Sequence, residues 1–186
     1  AAQDTLRNLI AGISIVTDKP YGIGDYIVLD SGERGAVTHI GLRSTRLLTR
    51  DDVEVSIPNG VMGKAKIINE SGSPLRKYRL RVPIAVAYGS DIDHVMQLML
   101  RAADGHPQVC QQPEPRMRLR QFGSSGLEFE MLCWIQDPAN RGRVLHELNC
   151  TLYRAFGQEG VVLAIPQQEI HLRDPAAGSI VEGPRR

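Results

Sequence analysis

Along residues 4–18 the apolar positions Leu6, Leu9, Ile10, Ile13 and Val16 recur at spacings of three and four, which predicts a short amphipathic helix with one apolar stripe. Its other side carries Gln3, Arg7 and Ser14, and the small pair Ala11 and Gly12 leaves room for another backbone to come close. Asp18, Lys19, Pro20 and Gly22 end it. From residue 24 to residue 69 the period changes to two. Short strands are predicted at 26–29, 35–40, 42–49, 53–57 and 65–69, parted by the turn residues Asp30-Ser31-Gly32, Asp51-Asp52 and Pro58-Asn59-Gly60. Val53, Val55 and Ile57 alternate with Glu54 and Ser56, so one side of that strand is buried and the other wet. Five strands in about fifty residues predict closure into a small barrel, because an open sheet this short leaves unprotected edges.

Residues 70–74, with Gly72 between two serines, form a linker by composition, and a second unit follows. Residues 77–86 predict a strand with Tyr78, Leu80 and Val82 on one face and Lys77, Arg79 and Arg81 on the other. Ser90 with Asp93 three residues on resembles a capping box, and Ile92, Val95, Met96, Met99, Leu100 and Ala103 trace the apolar face of a helix closed by Gly105. After a proline-rich loop come strands 116–122 and 127–135, joined as a hairpin by Gly123-Ser124-Ser125-Gly126. A helix over 140–156 turns Val144, Leu145, Leu148, Leu152 and Phe156 inward, and 161–165 supply a last apolar strand. Strand, helix, strand, strand, helix, strand is the split βαβ, ferredoxin-like order. In it Lys77, Arg79 and Arg81 are expected beside Glu128 and Glu130, with Arg116, Arg118 and Arg120 beyond. That gives an internally compensated, weakly net-positive salt lattice rather than a ligand site, in which each cross-strand pair contributes roughly 0.2–1 kcal/mol.

The 186 residues are 42% hydrophobic and 23% charged, which excludes collagen-like, coiled-coil and largely disordered classes. A net charge of +1 provides no global field for nucleic acid or acidic lipid, so any charged function is local. The longest mostly apolar run, residues 9–16, falls far short of the roughly 20 residues of a membrane span, and no signal peptide is recognisable. The chain opens at Ala1 inside a predicted helix, which suggests a piece of something longer. Cys110, Cys133 and Cys150 are odd in number and unclustered, against a disulfide framework or a thiolate zinc site.

Candidate chemistry changes this picture little. The sheet positions where an RNA-recognition fold needs aromatics carry Lys, Arg and Glu, which argues against nucleic acid. His39, His94, His106, His146 and His171 have no metal-ligand spacing among them. Gly123-Ser124-Ser125-Gly126 fails the nucleophile-elbow spacing, and the acid pairs Asp51-Asp52 and Asp91-Asp93 sit on a turn and at a helix start. No enzyme signature survives, and neither a cofactor nor a metal is implied.

The order of these elements, and several strings within them, resemble the small-conductance mechanosensitive channel family. The strings are Asn8-Leu9 with Ala11-Gly12 at the helix, then Pro20, Gly24-Asp25, Gly35, Val37, Ile40, Arg43, Thr45 and Thr49. Ile57-Pro58-Asn59-Gly60 and Ile67-Ile68-Asn69 are the most specific, followed by the run from Ala87 to Asp93 and by Ile165-Pro166-Gln167. The resemblance covers residues 1 to about 174 and implies an α+β chain in four parts. Residues 1–20 would be the C-terminal half of a pore-lining helix, 21–70 a five-stranded, Sm-like β-barrel domain, and 71–174 a ferredoxin-like α/β domain. The last of these would hold a terminal strand near 169–173, and 175–186 would be a flexible tail.

By the same resemblance the intact protein would be a homoheptamer in the bacterial inner membrane. This portion would form a cytoplasmic vestibule, passing ions and small solutes during hypo-osmotic shock through a membrane part that upstream helices supply. Asp4 occupies the place of the usual small residue at the helical kink, and Asn8 is expected to approach the Asn59-Gly60 turn. A soluble interaction or regulatory module built from the same two small folds is the rival reading.

Overall fold

The computed structural model describes residues 2–72 and 77–166. Helix α1 (Ala2–Asp18) is followed by strands β1 (Tyr26–Leu29), β2 (Arg34–Ile40), β3 (Ser44–Leu48) and β4 (Glu54–Pro58), the short helix α2 (Asn59–Met62) and strand β5 (Ile67–Asn69). These strands form one antiparallel sheet in the order β4-β3-β2-β1-β5. The expected barrel does not close, since among the described residues β4 pairs only with β3 and the three-residue β5 only with β1. Helices fill the gap instead. Met62 of α2 and Ile15 of α1 join Tyr21, Ile27, Val37, Leu47 and Ile57 in one buried cluster, so apolar side chains rather than a ladder seal the open side.

The apolar stripe on α1 also behaves differently from the expectation. Leu6, Ile10, Ile13 and Val16 remain more than half exposed, while Gly12 and Ile15 face the sheet. The helix docks by its small side.

The second unit contains β6 (Tyr78–Val86), α3 (Ile92–Asp104), β7 (Arg116–Phe122), β8 (Leu127–Ile135), a 3-10 turn (Pro138–Asn140) and α4 (Arg141–Gln158). Its sheet order is β6-β8-β7. Residues 161–164 join the outer edge of β6, where Ala87 N–H donates to the Val162 carbonyl at 2.8 Å and Ala164 N–H to the Ala85 carbonyl at 3.0 Å. This is the ferredoxin-like arrangement. Both helices cover one face, burying Val95, Met99, Leu148, Leu152 and Phe156 against Val82, Phe129, Met131 and Cys133. Burial pushes the Cys133 thiol up to about 12, so it is an inert core residue. The cap of α3 is Asp91, which accepts from the N–H groups of Asp93 and His94, while Ser90 turns back to the Ala87 carbonyl; the Ser90 capping box is therefore replaced by an Asp cap. The expected strand near 169–173 and the tail lie outside the described residues.

On the uncovered face Arg118 stands opposite Glu130 as expected, but the register of β6 differs. Arg79 lies opposite Trp134 and Arg81 opposite Leu132, with Pro83 and Ala85 opposite Glu130 and Glu128. Alternation assigned each residue to its face. The register itself comes from the buried side, where Leu80 meets Cys133, Val82 meets Met131 and Val86 meets Leu127. A bulge between Leu119 and Gln121 shifts β7 as well.

A polar seam joins the two units. The Glu70 carboxylate receives Arg34 of β2 at 2.8 Å and approaches Arg141 of α4 at 4.0 Å. Arg141 also donates to the Tyr78 hydroxyl at 3.1 Å, and Arg50 reaches the Ala139 carbonyl at 3.2 Å. The partners stand up to 89 residues apart in the chain, so no local pattern announces them.

Candidate site at the junction of helix and sheet

Pro58, with φ −59° and ψ 135°, delivers the chain from β4 into the single turn of α2. The turn places Gly60 against α1, and its N–H donates to Asn8 Oδ1 at 2.8 Å. A Cβ on Gly60 would sit 2.8 Å from that same oxygen, and one on Gly12 would sit 2.5 Å from the Leu42 carbonyl oxygen and 2.7 Å from Asn59 Nδ2. Gly12 is therefore required by its approach to backbone rather than by backbone angle, whereas a Cβ on Gly60 would displace the Asn8 amide that it binds. Ala11 closes the contact, its Cβ 3.4 Å from where a Gly63 Cβ would stand.

Asn59 has no exposed surface. Its Nδ2 donates to the Gly41 carbonyl at 2.9 Å and its Oδ1 accepts from Thr45 Oγ1 at 3.0 Å. Because the single Thr45 proton is given to Asn59, the Tyr21 hydroxyl 3.2 Å away must be the donor to Thr45. A buried relay Tyr21–Thr45–Asn59–Gly41 thus runs beneath the Asn8–Gly60 contact. It fixes the β2–β3 turn and the start of α2 with respect to each other.

Burial pushes the Tyr21 phenol above its ordinary 10.0. The folded-state value exceeds the unfolded one, so the contribution is complete below about pH 10 and is lost as pH rises through the folded value. Stability measured by urea titration from about pH 8 to pH 11 is expected to fall more steeply in the natural chain than in Tyr21→Phe. Parallel curves would show that Tyr21 is not the group responsible.

The other candidates fall into two places. Pro20, Asp25 and Asn69 meet in one cluster: Asn69 Nδ2 donates to Asp25 Oδ2 at 2.8 Å and to the Pro20 carbonyl at 3.3 Å, and Gly22 N–H also donates to Asp25 Oδ2, at 2.8 Å. Gly24 begins the adjoining turn with φ +91°, a conformation that favours glycine. This cluster ties the exit of α1 to the last strand of the sheet. Gly35 stands apart, admitting the Leu48 carbonyl to 2.4 Å of where its Cβ would be. Asp4 is exposed, 3.8 Å from Arg7, and lines a shallow recess with Asn8, Asp30, Pro58 and Lys64, away from the buried relay. On the other flank of α1 an open groove of about 780 Å³ runs between Leu6, Ile10, Ser14, Met62, Ala65 and Ile67. Among the described residues no group of three or more His, Cys, Asp or Glu side chains could hold a metal ion. The structure brings the sequence candidates Asn8, Gly12, Asn59 and Gly60 together, and adds Tyr21, which lies in no recognisable motif, and the relay role of Thr45.

The family model described as "Mechanosensitive ion channel, beta-domain" matches residues 4–72, and "Mechanosensitive ion channel MscS, C-terminal" matches residues 80–163. The chain belongs to the MscS family of mechanosensitive ion channels. Among MscS-family relatives, mechanosensitive channel MscK of Escherichia coli K12 is 32% identical over 97% of this chain, which spans 16% of that protein. Small-conductance mechanosensitive channel MscMJ of Methanocaldococcus jannaschii is 28% identical over 92% of this chain, which spans 49% of it. The chain thus corresponds to a part of these relatives. The MscS fold is also seen in the closed-state crystal structure of Helicobacter pylori MscS, with TM-score 0.79, 23% identity, and coverage of 92% of this chain and 67% of that one. No helix among the described residues is long and apolar enough to cross a membrane.

Proposed function

We propose that this chain is the vestibule portion of a tension-gated channel that releases ions and small osmolytes on hypo-osmotic shock, without catalysis. The observation that carries the reading is the docking of α1. Its small face, with Asn8 and Gly12, is locked to the Asn59–Gly60 turn while Leu6, Ile10, Ile13 and Val16 stay uncovered. An apolar helix face left bare beside a rigid joint suits a helix that meets other copies and continues toward a membrane.

In this reading residues 1–20 end the pore-lining helix, 21–70 form the β domain, and 71–174 the α/β domain with its terminal strand. The assembly is a homoheptamer in the bacterial inner membrane, with this portion on the cytoplasmic side. Tension favours the state of larger membrane area, and the joint passes that preference between helix and vestibule. Asn8, Ala11, Gly12, Asn59 and Gly60 couple the two, Asp4 tunes the kink, and Pro20, Gly24, Asp25, Gly35, Pro58 and Asn69 hold the β domain in register.

The test is patch recording in liposomes from the protein that carries this chain together with its upstream spans, under ramped suction. Discrete currents that rise with tension are expected. Silent patches from protein shown to be inserted and assembled would overturn the reading.

A further inference from the structure

The uncovered face of the β6-β8-β7 sheet concentrates positive charge in a chain whose net charge is only +1. Arg79, Arg81, Arg116, Arg118 and Arg120 share it with two carboxylates, Glu128 and Glu130. Both carboxylates are already engaged. Glu130 receives Arg120 Nε at 2.8 Å and Arg81 at 3.3 Å, and the Arg120 hydrogen bond foremost, helped by Arg81, holds its carboxyl below the ordinary 4.5 against a desolvation cost. Glu128 accepts from the Gln121 amide at 2.8 Å. Among the described residues no carboxylate lies within ion-pair distance of Arg79, Arg116 or Arg118.

Arg79 and Arg116 flank an apolar floor, and Arg118 stands one cross-strand pair further along, opposite Glu130, whose carboxylate Arg81 and Arg120 already hold. Leu132, with Arg81 and Arg116 opposite it on the two flanking strands, is only 6% exposed although it faces away from the helices. Trp134, opposite Arg79, carries the Arg116 guanidinium 5.9 Å above its ring. The strands bearing Arg79 and the Arg116–Arg118 pair flank β8, so their backbones stand about 10 Å apart, a span that two arginine side chains can close over one small ligand.

Unpaired guanidinium groups held this near repel one another, and a bridging anion relieves the repulsion. Their planar donor forks match carboxylate or phosphate oxygens in pairs, and a cation or a neutral ligand has nothing to gain here. We propose that Arg79, Arg116 and Arg118, above Leu132 and Trp134, form a binding site for a small multivalent oxyanion, a polycarboxylate or a polyphosphate. The site stands on this chain's own residues and is independent of the channel reading.

Trp134 is the one tryptophan of the sequence, so its emission reports on the site alone. The chain is titrated with citrate and, separately, with pyrophosphate, at ionic strength held constant with sodium chloride. A saturable change in emission is expected. Arg79→Gln, Arg116→Gln and Arg118→Gln should each weaken it about threefold to tenfold, and Arg118→Lys by less, since it keeps charge but loses the fork. Arg154→Gln, on the exposed side of α4, should leave it unchanged. Saturation by citrate only assigns a polycarboxylate, by pyrophosphate only a polyphosphate, and by both a site that recognises paired oxyanions of either kind. A linear response, one reproduced by chloride alone, or one indifferent to all three Gln variants would overturn the proposal.

Discussion

Asn59→Ala is expected to destabilise the chain by about 2–4 kcal/mol, because a buried group left without its partner costs roughly 1–3 kcal/mol and this substitution disturbs more than one. The Gly41 carbonyl loses its side-chain donor, and Thr45 loses its acceptor. Thr45 retains Tyr21, so part of the relay can turn round and recover. The space vacated by the amide adds a cavity beneath α2, next to fully buried Met62. Urea unfolding of both proteins, compared at equal slope, measures the difference directly. A loss under about 0.5 kcal/mol would mean that the relay is not the element fixing the joint.

Asn59 also marks the limit of what the sequence discloses. Pattern and turn chemistry place both helices of the second unit, the Gly123–Gly126 hairpin and the five short strands, because those features depend on residues close in the chain. They place Asn59 on a turn and, through resemblance alone, near Asn8. What they leave out is whatever depends on register or on distant partners. The barrel was expected because edges are costly, yet the edge problem is met by Met62 and Ile15, and nothing in a period-two pattern says that a helix will take the place of a strand.

The open face of the second sheet departs from expectation only in part. Its charges lie on the expected side, and Arg81 and Arg120 do reach Glu130, but the cross-strand register sets Arg81 opposite Leu132, as the buried contacts of Leu80 and Val82 require. The shift has chemical consequences. In a lattice expected to be weakly net positive, Arg81 and Arg120 converge on Glu130, and Arg79, Arg116 and Arg118 are left without a carboxylate within ion-pair distance among the described residues.

Gly12→Val is expected to cost about 3 kcal/mol and to lift α1 from the sheet. Two effects compete at this position. A residue with a side chain is favoured over glycine in a helix by up to about 1 kcal/mol, less for valine because its branched side chain loses rotamer freedom against the preceding turn. Against that stands a Cβ 2.5 Å from the Leu42 carbonyl oxygen and 2.7 Å from Asn59 Nδ2. Neither neighbour can yield: one is backbone, and the other is held by the relay through Gly41 and Thr45. The strain therefore passes to α1, whose displacement also breaks the Asn8–Gly60 hydrogen bond. Gly157→Ala in α4 separates the two effects, since a Cβ there meets nothing within 4 Å and only the helix preference remains. Thermal unfolding should show Gly157→Ala unchanged or slightly more stable and Gly12→Val several degrees less so. If both variants gained stability, helix preference alone would govern α1, and the joint between helix and sheet would have to be looser than its distances imply.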